Sequence, residues 1–175
     1  MAVLLRGVNV GGHAKVPMAR LRELAEELGY TDVATYLQSG NLVVSADSKP
    51  AKVEAAIGEA LRTHLDVDVA VMVRTRKELA AVIDANPFGD VTDPKRLLVN
   101  FLAAEPAANK LQALDPDEFD PEHFEFGDRC MYQSLPNGVG RSKLATAPWD
   151  RRLGVRGTGR NWRTVLALRD LLDRH

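Results

Sequence analysis

The side chains best suited to chemistry in this chain are polar groups placed where a regular element gives out. Arg6, Asn9, Gly11, Gly12, His13 and Lys15 interrupt or follow an apolar run that begins at residue 2. A strand needs neither Arg6 nor Asn9 for its pleat. Glycines after a strand let backbone N–H groups turn toward an anion, and a nearby Arg or Lys adds charge. The spacing matches neither common phosphate motif. The Gly-Lys-Ser/Thr ending of a P-loop is absent, and Gly11-Gly12 lacks the later glycine of a dinucleotide fingerprint. The plainer reading has Arg6 paired with a carboxylate and the glycines merely turning the chain; it is favoured for His13.

A second polar stretch holds Gln38, Ser39, Gly40 and Asn41. Ser39-Gly40 reads as a tight turn. The amides of Gln38 and Asn41 carry donors and acceptors that suit a base edge or a small polar ligand. A third stretch is Thr158, Gly159, Arg160, Asn161 and Trp162, just before an apolar-periodic run. Thr158 or Asn161 can cap a helix there, and the free N–H groups together with Arg160 can meet an anion. A cation at that end opposes the helix dipole, so Arg160 is expected to serve a partner. Trp162 reads as core. The combined expectation is that Arg6, Asn9, Gly11, Gly12, Lys15, Gln38, Asn41, Arg160 and Asn161 gather in one polar cleft between two halves of the chain. An anionic or phosphate-bearing small molecule would be the ligand. A nucleic-acid module using an open sheet face is one alternative. A structural or interaction protein with internal polar networks is the other.

Other chemistry finds little footing. Ser142 reads as a helix cap and Lys143 as a solvated side chain, because a Ser/Lys hydrolytic pair would need a base and an oxyanion hole that no residue pattern supplies. The four histidines have no paired metal spacing, so no metal is expected. The acids of residues 115–125 read as an exposed loop. With no nucleophile–base–orienter set, enzymatic activity is left open and no cofactor is implied. The net charge of −1 gives no global basic field. Only Tyr36, beside Gln38, offers a stacking face on the central strands, which ranks nucleic acid below the small ligand. The single cysteine, Cys130, excludes an internal disulfide and a Cys-cluster zinc site and suits a reducing cytoplasm. No apolar run reaches the length of a membrane span, and no signal-peptide pattern is present.

The elements that would position these groups follow from periodicity. Residues 2–10 read as a strand, apolar on both faces near its start and hence central. Leu21, Leu24, Ala25 and Leu28 recur at helical spacing, with Gly29 as the stop. Residues 33–38 and 42–46 read as a hairpin. Pro50 opens a helix with Val53, Ile57, Ala60 and Leu61 on one stripe, and residues 68–74 read as a fourth strand. The order β-α-β-β-α-β predicts a ferredoxin-like first half over residues 1–75. Residues 76–95 read as a linker helix and loop. Residues 96–175 read as a second α+β half of loosely similar topology: a strand over 96–104, a short helix, a hairpin around Gly127-Asp128, a short strand at Val155-Arg156 and a C-terminal helix. The fold class is therefore α+β.

Residues 4–12, 36–44, 86–88, 142–144 and 158–165, in this order along the chain, resemble the DUF1697 family of bacterial proteins. The matching residues include Arg6, Gly7, Asn9, Gly11, Gly12, Lys15, Gln38, Ser39, Gly40, Asn41, Arg160, Asn161, Trp162 and Thr164. The chain departs from the family's pattern at Ala14, Val44, Gly159 and Arg163. The resemblance implies an α+β fold with a ferredoxin-like first half. It implies no activity, cofactor or catalytic residue.

Overall fold

The computed structural model describes residues 1–11, 14–91 and 93–174. They divide into two compact units: Met1–Ala80 with the residues from Ala167 onward, and Ala81–Leu166. No described helix is long and apolar enough to cross a membrane.

The first unit is a ferredoxin-like βαββαβ arrangement. Its elements are β1 (Ala2–Leu5), α1 (Met18–Glu27), β2 (Thr31–Tyr36), β3 (Asn41–Ser45), α2 (Pro50–Leu65) and β4 (Val71–Arg74). The antiparallel sheet has the order β2-β3-β1-β4, so β1 is central, as its two apolar faces predict. Val3, Leu5, Leu42, Val44 and Val73 meet Leu21 and Ala25 of α1 and Val53, Ile57 and Leu61 of α2 in one core. The alternate residues Ala2, Leu4, Val43 and Met72 are buried as well.

Several details depart from the sequence expectation. β1 stops at Leu5 instead of running to Val10. Gly7 and Asn9 have φ of 63° and 56°, which an extended strand cannot hold, so Arg6 and Asn9 lie in the loop that leaves the sheet. α1 starts at Met18 behind Pro17, and Gly29 (φ 82°) lies just past its end. Proline at the first position of α2 suits a place where no N–H partner is needed. The fourth strand begins at Val71, three residues later than expected. The helix α3 (Arg76–Asp84) opens on a reciprocal cap: Thr75 N–H donates to Glu78 Oε2 (2.7 Å) and Glu78 N–H donates to Thr75 Oγ1 (3.1 Å).

The second unit repeats the strand order more closely than the sequence suggests. β5 (Leu97–Leu102), α4 (Ala108–Gln112), β6 (His123–Gly127), β7 (Cys130–Ser134), the short α5 (Lys143–Thr146) and α6 (Trp149–Leu153), and β8 (Gly157–Asn161) lead into α7 (Trp162–Arg174). The sheet order β6-β7-β5-β8 copies β2-β3-β1-β4 station by station. The last strand is therefore Gly157–Asn161 and not Val155-Arg156. Its Gly-Thr-Gly-Arg-Asn sequence has little strand propensity; pairing with β5, from Leu102↔Gly157 to Leu98↔Asn161, specifies it. A Cβ on Gly157 would come within 2.6 Å of Asn100 Oδ1, so the neighbour demands glycine. The β6–β7 turn falls on Asp128-Arg129, with Arg129 at φ 46°.

Phe119, Phe124 and Trp149 interlock with centroids 5.5–6.2 Å apart inside a core that includes Leu102, Met131, Leu135, Leu144 and Leu153. Arg152 covers the Phe119 and Trp149 rings and grips Glu118 with two bonds of 2.6 and 2.7 Å. The acidic segment is not wholly exposed: Glu122 is buried and accepts Leu144 N–H at 2.9 Å, fixing the start of α5. Cys130 is fully buried in β7.

Gly40 tests the fit of the β2–β3 turn. It has φ 73°, and a Cβ there would press on Val8 Cγ2 and lie 2.8 Å from Leu5 Cβ. Gly40→Ala combines a left-handed alanine with overpacking, so it is expected to cost about 2–4 kcal/mol in urea unfolding, with the m-value unchanged.

Candidate functional site

Two segments of the first unit carry most of the sequence-derived site residues: the loop 6–16 after β1 and the turn 37–40 between β2 and β3. Val8 and Val16, both buried in the core, anchor the loop at two points. Between them the side chain of Asn9 forms the main polar tie. Its Nδ2 donates to Val16 O (2.8 Å) and to Gln38 O (2.7 Å), and its Oδ1 accepts Val16 N–H (2.9 Å). Asn9 N–H also donates to Ala14 O at 3.1 Å. Asparagine suits the position doubly, since its short amide tolerates the left-handed backbone and closes the loop on itself.

The loop is fastened to the sheet by backbone as well. Leu5 N–H donates to Gly40 O (2.8 Å) and Arg6 N–H donates to Ala70 O (2.9 Å). Stretches 29 residues apart in sequence thus meet at one end of the first sheet. Arg6 is half-buried there, while Gly11, Lys15 and Gln38 are exposed. Gly11 has φ 62°. Gly12 and His13 lie outside the described residues. Asn41 does not face outward: it is fully buried, and its Nδ2 holds Tyr36 O (2.9 Å) and Ser39 Oγ (3.0 Å), so the amide builds the turn from within.

Backbone strain collects in the same place. Asn9, Ala14 and Leu37 are non-glycine residues with positive φ, and Leu37 (57°) carries a branched side chain in a conformation that costs roughly 1–2 kcal/mol. Val10 and Leu37 are also the most exposed large apolar residues described, at 56% each. Sequence reasoning missed both, because a lone leucine or valine beside a turn looks unremarkable without its dihedral.

Arg160 and Asn161 belong to the second unit. Arg160 is on strand β8 itself, opposite Val99, and not in a turn. It is 7% exposed, and its Nη1 donates to Thr158 Oγ1 and Gly159 O, both at 2.8 Å. Burial pushes its guanidinium down to about 10, still protonated at neutral pH. Asn161, not Thr158, caps α7: its Oδ1 accepts Thr164 N–H at 2.9 Å and Thr164 Oγ1–H at 3.0 Å. Trp162 is half-buried rather than a core residue.

The residue that sequence reasoning passed over is Arg74. It ends β4 opposite Ala2, as Arg160 lies near the end of β8 opposite Val99. It is 1% exposed, and its Nη1 donates to the preceding carbonyl, Val73 O, at 3.0 Å, as Arg160 does to Gly159 O. Each arginine is followed at once by a residue whose side chain caps the next helix, Thr75 and Asn161. The signal was present as two copies of an arginine–cap pair before a helix, but it emerges only once both strand registers are known.

A cavity of about 860 Å³ lies elsewhere in the first unit, lined among others by Tyr30, Thr31, Ser45, Asp47, Thr75 and Arg76. None of the sequence-derived site residues line it. Among the described residues, no group of three or more His, Cys, Asp or Glu could hold a metal ion.

The tie made by Asn9 is open to measurement. Asn9→Ala removes three hydrogen bonds and puts a Cβ without a local acceptor at φ 56°, for an expected loss of about 2–3 kcal/mol. Asn9→Gly keeps the dihedral and loses only the bonds, so its loss should be the smaller of the two. Equal losses in denaturant titrations would mean that the dihedral contributes nothing.

Comparison with known proteins places this geometry. Over 98% of its length the chain superposes on 97% of a conserved bacterial protein, SP0830 of Streptococcus pneumoniae, with a TM-score of 0.77 and 22% identity, a likeness of fold. No curated protein matches. The family model described as a protein of unknown function, DUF1697, matches residues 1–132, which include the loop 6–16, the 37–40 turn and β1 to β6 complete. The chain belongs to the DUF1697 family.

Proposed function

We propose that this protein binds an anionic group, such as the phosphate of a metabolite or nucleotide, through the loop 6–16 and the 37–40 turn. Arg6 and Lys15 supply charge, the Gln38 side chain supplies an amide, and the glycines at 11 and 12 supply backbone N–H groups. Arg160 and Asn161 are the donors proposed for the second unit. The observation that carries this reading is the 2.7 Å bond from Asn9 Nδ2 to Gln38 O, which fixes the loop to the turn and so collects cationic and amide groups from separate stretches. The two segments contain no Asp or Glu, so nothing within them opposes an anion. Residues on loops held by a rigid scaffold are where binding usually resides.

A second reading has its own support. Asn9, Asn41 and Asn161 spend their side-chain amides on backbone groups, Ser39 or Thr164, which is what an internal structural network would look like. On that view the asparagines belong to the fold, and Lys15 and Gln38 are exposed polar side chains of the two segments.

Thermal-shift titration at low ionic strength with phosphate, sulfate and a nucleoside triphosphate separates the two readings. Binding at a hundredfold excess over Kd should raise the melting temperature by roughly 5–10 °C. Added salt should reduce the shift, because the interaction is electrostatic and exposed. The Arg6→Ala, Lys15→Ala double variant should lose it. No shift with any anion, or an undiminished shift in the double variant, favours the structural network.

A further inference from the structure

We infer that the first unit holds a separate ligand site, for a phosphorylated sugar, in the cavity at the far end of the β2–β3 hairpin from the 37–40 turn. It does not depend on the anion reading above. The cavity of about 860 Å³ is lined where Thr31 of β2 pairs with Ser45 of β3, whereas the turn follows the Tyr36–Asn41 pair. A second hollow of about 630 Å³ adjoins it. The two share Met1, Ala46, Asp47, Ser48 and Thr75, and the second adds Lys49 and Lys52. Small-molecule sites commonly occupy about 300–1,000 Å³. Every lining residue of both hollows belongs to the first unit.

The fold leaves the charged groups of this groove unused. Among the described residues, the side chains of Tyr30, Thr31, Ser45, Asp47, Lys49 and Lys52 take part in no hydrogen bond or ion pair. Exposed charges elsewhere in the unit do pair: Arg20 with Glu23 and Glu27, Arg62 with Glu59, and Arg76, itself on the cavity wall, with Asp173. Asp47 and the two lysines line one hollow without closing on each other. A carboxylate and two ammonium groups held apart suit a ligand that offers hydroxyls to the first and an anion to the others.

The remaining lining agrees. Tyr30, Thr31, Ser45, Ser48 and Thr75 bring hydroxyls to the cavity. A hydroxyl both donates and accepts, as a sugar hydroxyl does. A bare phosphate would use donors alone, and Asp47 would repel it. Leu28, Ala46 and Leu172 supply aliphatic contact for the C–H side of a sugar ring. The backbone is shaped here too: the β2–β3 register shifts between Thr31 and Ala34, and Asp32 holds φ 51°. Such bulges re-aim side chains and are common beside binding and active sites. A nucleotide fits less well, because a base wants an open aromatic face. Tyr30, the one aromatic side chain among the described lining residues, packs against the core. A lipid-like chain would bury hydroxyls and a carboxylate without partners.

The test titrates the full chain with ribose 5-phosphate, glucose 6-phosphate, ribose and inorganic phosphate. Calorimetry gives affinity, and amide chemical shifts give location. At least one sugar phosphate is expected to move the resonances of Thr31, Ser45, Asp47 and Ser48. It should bind there at least about tenfold tighter than ribose or phosphate, since each half leaves a charged group unmatched. Asp47→Ala should weaken the sugar phosphate about tenfold without weakening phosphate, and the Lys49→Ala, Lys52→Ala double variant should weaken it by at least as much. All three side chains are exposed, so the melting temperature should hold. The Arg6→Ala, Lys15→Ala double variant should bind the sugar phosphate unchanged. An anion at the loop moves Lys15 and Gln38 instead, so the two sites are read apart. Loss of sugar phosphate binding in the Arg6, Lys15 variant overturns this inference and leaves the loop reading standing. Groove shifts equal for phosphate and for both sugar phosphates also overturn it, as do groove shifts from none of the probes. Adenosine monophosphate binding the groove tenfold tighter than either sugar phosphate overturns it by giving the site to a nucleotide.

Discussion

A strand buried on both faces must leave its sheet abruptly, and in the first unit one primary amide makes that exit possible. β1 has no exposed residue, so the chain has to turn within a residue or two of Leu5. It does so through left-handed backbone at Gly7 and Asn9. Such a turn is costly unless something holds it. Asn9 does, by saturating its side chain with Val16 and Gln38 backbone groups. The loop then carries Arg6 and Lys15, and the turn it grips carries Leu37 and Gln38. Arrangement of these side chains is thus a by-product of how the central strand ends.

The two units solve the same topological problem with unrelated side chains. Their strand orders coincide, yet β1 is Ala-Val-Leu-Leu and β5 is Leu-Leu-Val-Asn-Phe-Leu, while β4 is Val-Met-Val-Arg and β8 is Gly-Thr-Gly-Arg-Asn. What persists is the arginine near the end of the last strand and the capping residue after it. A guanidinium can reach back to the carbonyl of the residue before it and leave the remaining donors of its fork for other acceptors. Placing that fork at a strand-to-helix junction, next to polar ends of both elements, gives a buried charge a polar setting that a mid-strand position lacks. The same setting serves Arg74 and Arg160, each bonded to the carbonyl of the residue before it.

Much of the fold was legible because the first unit obeys simple patterns. Apolar periodicity located α1 and α2, Pro50 marked the start of α2, and the β-α-β-β-α-β order named the sheet. The second unit resisted because its last strand has no strand-like composition: Gly157-Thr158-Gly159 is extended only because β5 is beside it, which a linear reading cannot weigh. The candidate site was legible as to residue type and not as to role. Asn9, Asn41 and Asn161 were conspicuous as polar residues near turns, and all three bond to the chain itself. Leu37 was invisible, since its interest lies in a dihedral. Arg74 was hidden at the end of a valine-rich run, where a charged residue reads as the strand reaching water.

The lone thiol gives the second unit an internal clock. Cys130 Sγ is shut inside β7, and a Cβ on the facing Gly127 would lie 2.9 Å from it, so no alkylating reagent can approach while the sheet is intact. Labelling must wait for β7 to detach from β5 and β6. When reclosure outpaces alkylation, the rate of mass increase reads the opening equilibrium of that sheet directly. One sulfur atom can therefore gauge the local cohesion of half the molecule, with no introduced probe.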